Sequence, residues 1–375
     1  MATKATPPLL KDLNERTVLD AIRSGAPISR AEISRLVGIS KPTVSQALQS
    51  LLRAGLVRET EPARDGPRYG ATFFEPAPDA AYVVGLDLGT RFVRGAICDL
   101  AGDLRARQDL ELPQPTAAAA LDAIGALVPS LVDASGVDPA VIDGAVVGVP
   151  GAVAPDGGIF LATNIEGLEG ERFDLLLGER ITLRASIEND INLAALGERW
   201  RGVARGVDDF AFVSIGTGLG AGIVLRGELH RGRHGAAGEL DYARAGLDED
   251  IDPCADALSE VARAQGAPTD TRSLFAAARA GDETARRIVD DEARRISLHI
   301  APIAAVTDVE LVVLGGGIGA NGDLLAGTIR ARLGEWLPAP PRVEVSSLGD
   351  GAVLTGALAV ALRAARENVF VNRSR

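Results

Sequence analysis

The parts of this chain best suited to chemistry are glycine turns and one carboxylate at a strand end. The segment GTGLGAG, residues 216–222, contains Gly216, Thr217 and Gly218 in a tight loop. Glycine leaves backbone N–H groups uncovered, so such a loop can cradle a phosphate. Asp87 and Gly89 sit where one expected strand turns into the next, which lets the backbone approach a phosphate or its metal. VELVVLGGGIG, residues 309–319, reads as a strand ending in Gly315, Gly316 and Gly317, then a helix. Asp190 closes the expected strand ITLRASIEND, 181–190, and opens the helix INLAALGERW. The ordinary use of Asp at that place is a helix N-cap.

A second group of residues suits a different task. ISRAEISRLVGISKPTVSQALQSLLRAGLV, residues 28–57, has the pattern of a helix-turn-helix. Ser29 and Glu32 form a capping box. Ile33, Leu36 and Val37 make an apolar stripe, and Gly38 supplies the turn. Ser40 caps the next helix, with Pro42 in its first turn. Val44, Ala47, Leu48, Leu51 and Leu52 face inward, leaving Lys41, Thr43, Ser45, Gln46 and Gln49 outside as short donors and acceptors for phosphates and base edges. An earlier helix, Leu10–Arg23, completes the core through Leu13, Val18, Leu19 and Ile22. After Gly55, LVRETEPARDGPRYGATFFEP alternates like two strands around a Gly-Pro turn, a wing with Arg64 and Arg68 near its tip. A winged helix that reads double-stranded DNA is expected; a small protein-interaction domain is the plainer alternative.

The bulk numbers agree with this division. The chain has 375 residues and a net charge of −12. Residues 1–75 hold 11 Lys+Arg and 8 Asp+Glu, and the remainder holds 28 and 43. A basic head on an acidic body lets DNA meet only the head. Aromatic residues, at 4%, are too few for a single-strand stacking platform. No apolar run approaches the length of a membrane span, and the N-terminus lacks an apolar signal core. Two cysteines make no disulfide framework. A cytoplasmic protein without a membrane partner is expected.

The expected organisation is α/β. Residues 1–75 form the winged helix and 76–81 a Pro-rich linker. Residues 82–190 form a first lobe, completed by a C-terminal helix at about 351–375, and 191–350 a second. The first lobe opens with three strands, the last two joined at Ala101-Gly102-Asp103, followed by a helix over 115–135 and a strand over 145–153 that leads to Asn164 and Gly167. A long helix is expected from 283 to 305.

The ordered motifs VGLDLG, GVPG, END, GTGLGAGI, GAAGEL and ELVVLGGGIG resemble the ROK family, named for repressors, open reading frames and kinases. The resemblance covers nearly the whole chain, winged helix included. It implies an actin-like sugar-kinase fold of two ribonuclease-H-like lobes, with sugar deep in the cleft and ATP above it in kinase members. By motif, Pro150 and Gly151 would shape the floor and Asn164 would bond ring hydroxyls. Asn189 and Asp190 would hold the far hydroxyls, Glu239 the anomeric end. A carboxylate or amide can bond two adjacent hydroxyls. In a kinase Asp190 would also be the general base.

Two departures lower the kinase expectation. Kinase members carry Asp-x-Gly-Gly-Thr at the first phosphate loop, where this chain reads Asp87, Leu88, Gly89, Thr90, Arg91. Most members also carry a zinc motif opening with Gly-Glu-x-Gly-His. Here it reads Gly238, Glu239, Leu240, Asp241, Tyr242, and only Cys254 follows. One cysteine, even with His230 and His234 upstream, matches no common four-ligand site. No zinc, ATP or magnesium is therefore expected, and the phosphate turns read as vestigial. Tyr242, in the place of the His, is a candidate ligand contact. Cys98 is expected in a strand core and Cys254 as a surface or half-buried thiol. The reading is a regulator, in repressor form, of sugar uptake or metabolism. It would be a homodimer or homotetramer that binds an operator and a sugar-like effector. An ATP-dependent sugar kinase with a regulatory head is the alternative, and a ligand-independent DNA-binding protein with a relic cleft the third.

Overall fold

The computed structural model describes residues 7–61, 71–170, 172–244 and 251–373. Arg64 and Arg68 lie outside the described residues.

The head begins with helix α1 (Pro7–Gly25), strand β1 (Ile28–Ser29), and helices α2 (Arg30–Val37) and α3 (Lys41–Arg53), followed by strands β2 (Val57–Thr60) and β3 (Phe73–Pro76). The capping box forms: the Ser29 hydroxyl accepts from Glu32 N, and Glu32 Oε2 accepts from Ser29 N at 2.9 Å. Gly38 closes α2 in the left-handed conformation that a helix C-cap favours. Val18, Leu19, Ile22, Ile33, Val44 and Leu51 are the buried centre. Leu13 and Leu36, expected in this core, are 57% and 64% exposed. Two-turn α2 buries a narrow face centred on Ile33, and Leu36 falls beyond it. β1 joins the wing, giving the order β1-β3-β2.

The stretch expected as a linker is packed. It makes a short 3-10 turn at Pro78–Ala80, and Ala77, Ala80 and Ala81 are buried in the head's apolar cluster.

The first lobe contains β4 (Tyr82–Leu88), β5 (Phe92–Asp99), β6 (Leu104–Glu111), α4 (Ala117–Ser135), β7 (Ile142–Val149), the small pair β8 (Ala152–Val153) and β9 (Ile159–Phe160), α5 (Phe173–Ile181) and β10 (Ala185–Asn189). Its sheet runs β10-β7-β4-β5-β6, antiparallel from β4 to β6 and parallel from β4 through β7 to β10. The expected strand over 181–190 is shorter, because Ile181 is the buried last residue of α5 and the chain turns at Thr182. The expected strand over 145–153 is divided: β7 stops at Val149 before Pro150. α4 is long and apolar enough to cross a membrane. Its apolar face packs on the sheet through Ala120, Ile124, Leu127 and Leu131.

The second lobe follows, with α6 (Asp190–Arg201), β11 (Phe210–Ile215), β12 (Leu219–Leu225), β13 (Glu228–Leu229), α7 (Ala255–Ala264), α8 (Thr271–Ala280), α9 (Glu283–Thr307), β14 (Leu311–Gly315), α10 (Gly316–Gly319), α11 (Gly322–Trp336) and β15 (Arg342–Val345); α12 (Ala352–Arg373) ends the chain. Its sheet runs β13-β12-β11-β14-β15. Helices α6 and α12 lie together between the two sheets. They touch at glycines: a Cβ on Gly197 would sit 2.3 Å from Ala352 O, and one on Gly356 1.8 Å from Leu193 O. No larger residue fits there without separating the helices. At its far end α12 buries Val369 and Phe370 in the head's cluster. Arg16 pairs with Glu367 at 2.6 Å and lies over the Phe370 ring. One helix thus touches the head, the first lobe and α6.

Candidate functional site

The head offers α3. Ser40 Oγ accepts from Thr43 N at 3.4 Å and lies 2.8 Å from Thr43 Oγ1, which fixes the first turn. Lys41 and Gln46 are exposed, Thr43 and Ser45 half-buried. Arg30, at the start of α2, donates to Ser45 Oγ at 2.9 Å, and Ser45 donates to Lys41 O. The sequence reading passed over Arg30. Its place directly after the Ser29 cap, on the shorter helix of the pair, was the available signal.

The cleft is built from turns of both lobes. The glycine turn 216–218 joins β11 to β12, and Gly316 and Gly317, which open α10, follow Gly315 at the end of β14. The two turns meet: a Cβ on Gly216 would lie 3.6 Å from Gly317 N. Thr217 is exposed between them. The 236–240 segment lies along β12, where Ala221 N donates to Gly238 O at 2.8 Å. Gly238 has a positive φ, and a Cβ there would lie 1.8 Å from Ala221 O. Glycine is thus required to bring Glu239 to the cleft.

On the first-lobe side, Asn189 caps α6. Its Oδ1 accepts from Asn192 N at 2.9 Å and its Nδ2 donates to Gly151 O at 3.0 Å. The cap is therefore Asn189 and not Asp190, which sits half-buried at the first helical position. Both Asn189 groups named here are engaged with the protein, leaving Asp190 as the freer partner for a ligand. Pro150 is buried, Gly151 half-buried and Asn164 exposed. Tyr242 is 57% exposed, against its candidacy as a well-enclosed contact. Cys98 is buried in β5; Cys254 is buried too, against the expectation of a surface thiol.

Three carboxyls of the cleft are raised, and Asp190 feels the other two. Burial, then the charges of Asp87 and Glu239, push Asp190 up to about 7. Burial pushes Asp87 up to about 6 against the opposing pull of Arg94, whose Nη1 lies 3.1 Å from Asp87 Oδ2. Burial and Asp241 raise Glu239. Near neutral pH this floor holds protonated and ionised carboxyls together, so it can both donate to and accept from hydroxyls.

The phosphate side is less inviting. Asp241 Oδ2 accepts from Leu219 N at 3.4 Å, which brings a carboxylate against the glycine turn. The Cys254 thiol donates to Asp241 Oδ1 at 3.8 Å. Asp87, the residue that would face phosphate or metal, is paired with Arg94. Arg91, in the place of the small hydroxyl, is exposed over Phe92. Asp241 was legible in the GELDY segment as an acid in the place of the motif's second glycine. Among the described residues no three His, Cys, Asp or Glu side chains converge as a metal site.

A cross-lobe ion pair lies beside the cleft. Arg231 Nε, beyond β13, donates to Glu188 Oε2 on β10 at 2.6 Å. Glu188 Oε1 also accepts from Asn192 Nδ2 and Asn189 N, both at 3.0 Å. A pocket of about 540 Å³ opens next to this pair, between Asp156, Arg172, Glu188 and Arg231. None of Asp87, Asp190 or Glu239 lines it.

The sequence pattern of the ROK family matches residues 83–364. The chain belongs to the ROK family. The MarR family pattern matches residues 12–66, which covers the helix-turn-helix. The chain is 26% identical to the xylose repressor of Caldicellulosiruptor bescii, over 94% of this chain and 96% of that protein. It is 30% identical to the glucokinase of Halalkalibacterium halodurans over 56% of this chain and 73% of that enzyme. Among solved structures, a ROK family transcriptional regulator homologous to the E. coli MLC protein superposes with a TM-score of 0.80 at 21% identity, over 97% of this chain and 99% of that one; it shares the fold. A ROK glucokinase from Streptomyces griseus, solved with glucose and AMPPNP, gives 0.64 at 26% identity over 76% of this chain and 100% of that one.

Proposed function

We propose that this ROK protein is a DNA-binding repressor of sugar uptake or metabolism genes, controlled by a sugar or sugar derivative held between its lobes. The observation that carries this reading is the end-to-end likeness to a xylose repressor, head included, where the glucokinase matches only part of the chain. The cleft fits a polyhydroxylated ligand: Asp190 and Glu239 would bond its hydroxyls, above the floor formed by Pro150 and Gly151. The negative charge that these carboxyls and Asp87 still carry in part near neutral pH favours a neutral sugar over an anionic one.

Control follows from connectivity. A ligand at Asp190 acts on the start of α6; α6 packs on α12, and α12 ends inside the head. The Glu188–Arg231 pair joins the lobes at the same place. A ligand that prefers one lobe arrangement thereby selects one placement of the head. We place the protein in the cytoplasm as a homodimer or homotetramer, with its recognition helices on an inverted-repeat operator. Ser40, Lys41, Thr43, Ser45 and Gln46 would meet the DNA, with Arg64 and Arg68 of the wing.

The kinase reading rests on Asp190, whose carboxyl near 7 suits a general base. Asp241 against the glycine turn and the Asp87–Arg94 pair oppose it, and we assign no phosphoryl transfer. A gel-shift titration on DNA upstream of the protein's own gene, with xylose, glucose and their phosphates, tests the regulatory reading. Specific binding altered by one of these supports it. Binding that is blind to sequence, with sugar-stimulated ADP release lost in Asp190→Asn, would establish the kinase instead.

A further inference from the structure

Arg30, the exposed first residue of α2, does not stay with its own helix. Its guanidinium crosses to α3, where Nη1 donates to Ser45 Oγ at 2.9 Å. Ser45 in turn donates to Lys41 O at 2.9 Å, one turn back on the same helix. A chain of hydrogen bonds thus runs from α2 to the backbone of α3. Lys41, Ser45 and Gln49 follow one another at four-residue spacing. They share a stripe of α3 on the side that the buried Val44, Ala47, Leu48 and Leu51 leave outward. The Arg30 guanidinium lies at the middle of that stripe.

These bonds divide the work between Ser45 and Arg30. A serine hydroxyl has one proton, and that of Ser45 is committed to Lys41 O. Its oxygen accepts from Arg30. To donate to a base, Ser45 would have to give up a bond it already makes. Arg30 carries five N–H groups in a rigid fork and commits one of them. Its charge is available as well. Arg16, Arg23 and Arg58 of the head each lie against a carboxylate. Arg30 lies against a hydroxyl, which cancels none of its charge.

In a helix-turn-helix the first helix crosses the sugar-phosphate backbone, and the N-terminal part of the second meets the base edges. An unattached arginine at the start of α2 would serve the phosphates. Held on Ser45, within the first two turns of α3, it is delivered to the bases instead. A fixed fork of parallel N–H groups matches O6 and N7 of guanine. Much of the freedom that a long side chain loses on binding is already lost here, which favours the one edge that fits. We propose that Arg30 reads a guanine in the major groove, and that Ser45 is its positioning residue and not itself a reader. The proposal rests on the DNA-binding reading of the head and adds to it the residue that selects a base.

The test lets the full chain, wild type and variants, select from a pool of randomised duplex DNA. The enriched sequences give the preference at each base pair. The wild type is expected to enrich a half-site containing a G·C pair that Arg30→Ala selects about tenfold less strongly or worse, with the preferences at other positions kept. Those kept preferences also show that the variant is folded. Arg30→Lys retains the charge but not the fork, and should lose most of the same preference while the salt dependence of binding stays as in the wild type. Ser45→Ala should weaken selection at that position and no other, and should add nothing to Arg30→Ala. If Arg30→Ala lowers affinity equally for all sequences, Arg30 is a phosphate contact and the proposal falls. If Ser45→Ala alters a different base pair, Ser45 is a reader and the proposal falls. Both results leave the head a DNA-binding domain. A wild type that enriches no sequence would overturn the DNA-binding reading together with the proposal, and so is distinct from either.

Discussion

Helices α3 and α6 both begin at a capping side chain, Ser40 in the head and Asn189 in the cleft, yet they present opposite environments. The cap of α3 is complete within four residues, and Lys41 and Gln46 next to it stay in water. At α6 the cap also holds Gly151 of another element, and the neighbouring Asp190 is pushed up to about 7 by burial and by two distant carboxyls. A site that reads DNA needs exposed, mobile, basic groups over a self-contained frame. A site that encloses a small polyol needs groups brought together from both lobes. The first tolerates change near it; the second depends on everything that holds the lobes.

The largest expected effect breaks the link between the two. Phe370→Ala removes the aromatic ring by which α12 enters the head, at a cost of about 3 kcal/mol. Calorimetry should then show the head melting separately, and the gel shift should lose its sugar response. A single unchanged transition would show that head and lobes are joined by other means. Next, Gln46→Ala should lower operator affinity about 10- to 100-fold while leaving the sugar-induced thermal shift intact. Loss of both would mean that the two sites are not separable.

Asp190→Asn sharpens the cleft side. The carboxyl is raised from its ordinary range near 4 to about 7. Its contribution to stability is therefore full below about pH 4 and is lost as pH rises through 7. The variant should melt several degrees above wild type at pH 8 and close to it at pH 4, with weakened sugar binding throughout. Equal melting at both pH values would place Asp190 in water. The smallest effect is at the head. Lys41→Ala should reduce by about 1 the slope of log affinity against log salt, with little change in sequence preference. An unchanged slope would remove Lys41 from the phosphate contacts.

Much of the head was legible because its signals are short-range. Ser29 with Glu32, Gly38, and Ser40 with Pro42 each act within one helical turn, and every one stands where the pattern put it. Leu36 was misplaced because periodicity marks a stripe without saying how wide a face the neighbours will cover. The strand expected over 181–190 came out short because Ile181 is claimed by the first-lobe core, a tertiary preference that no local pattern carries. The acid at 241 stood in the motif, but its approach to the glycine turn depends on β12 and the 240–244 turn meeting in space.

The sequence by itself determined the order of the parts: a basic winged helix, two α/β lobes, glycine turns at strand ends, and an acid at the start of α6. Periodicity, capping and charge are properties of near neighbours, so they survive without the fold. Only the tertiary structure decided which residues share an environment. It set Asp190 within reach of the charges of Asp87 and Glu239. It paired Asp87 with Arg94 and Glu188 with Arg231, and it seated the last turns of α12 in the head. Burial and electrostatic coupling depend on distance in space and on the exclusion of water, and both come into being when the lobes close over their common helices.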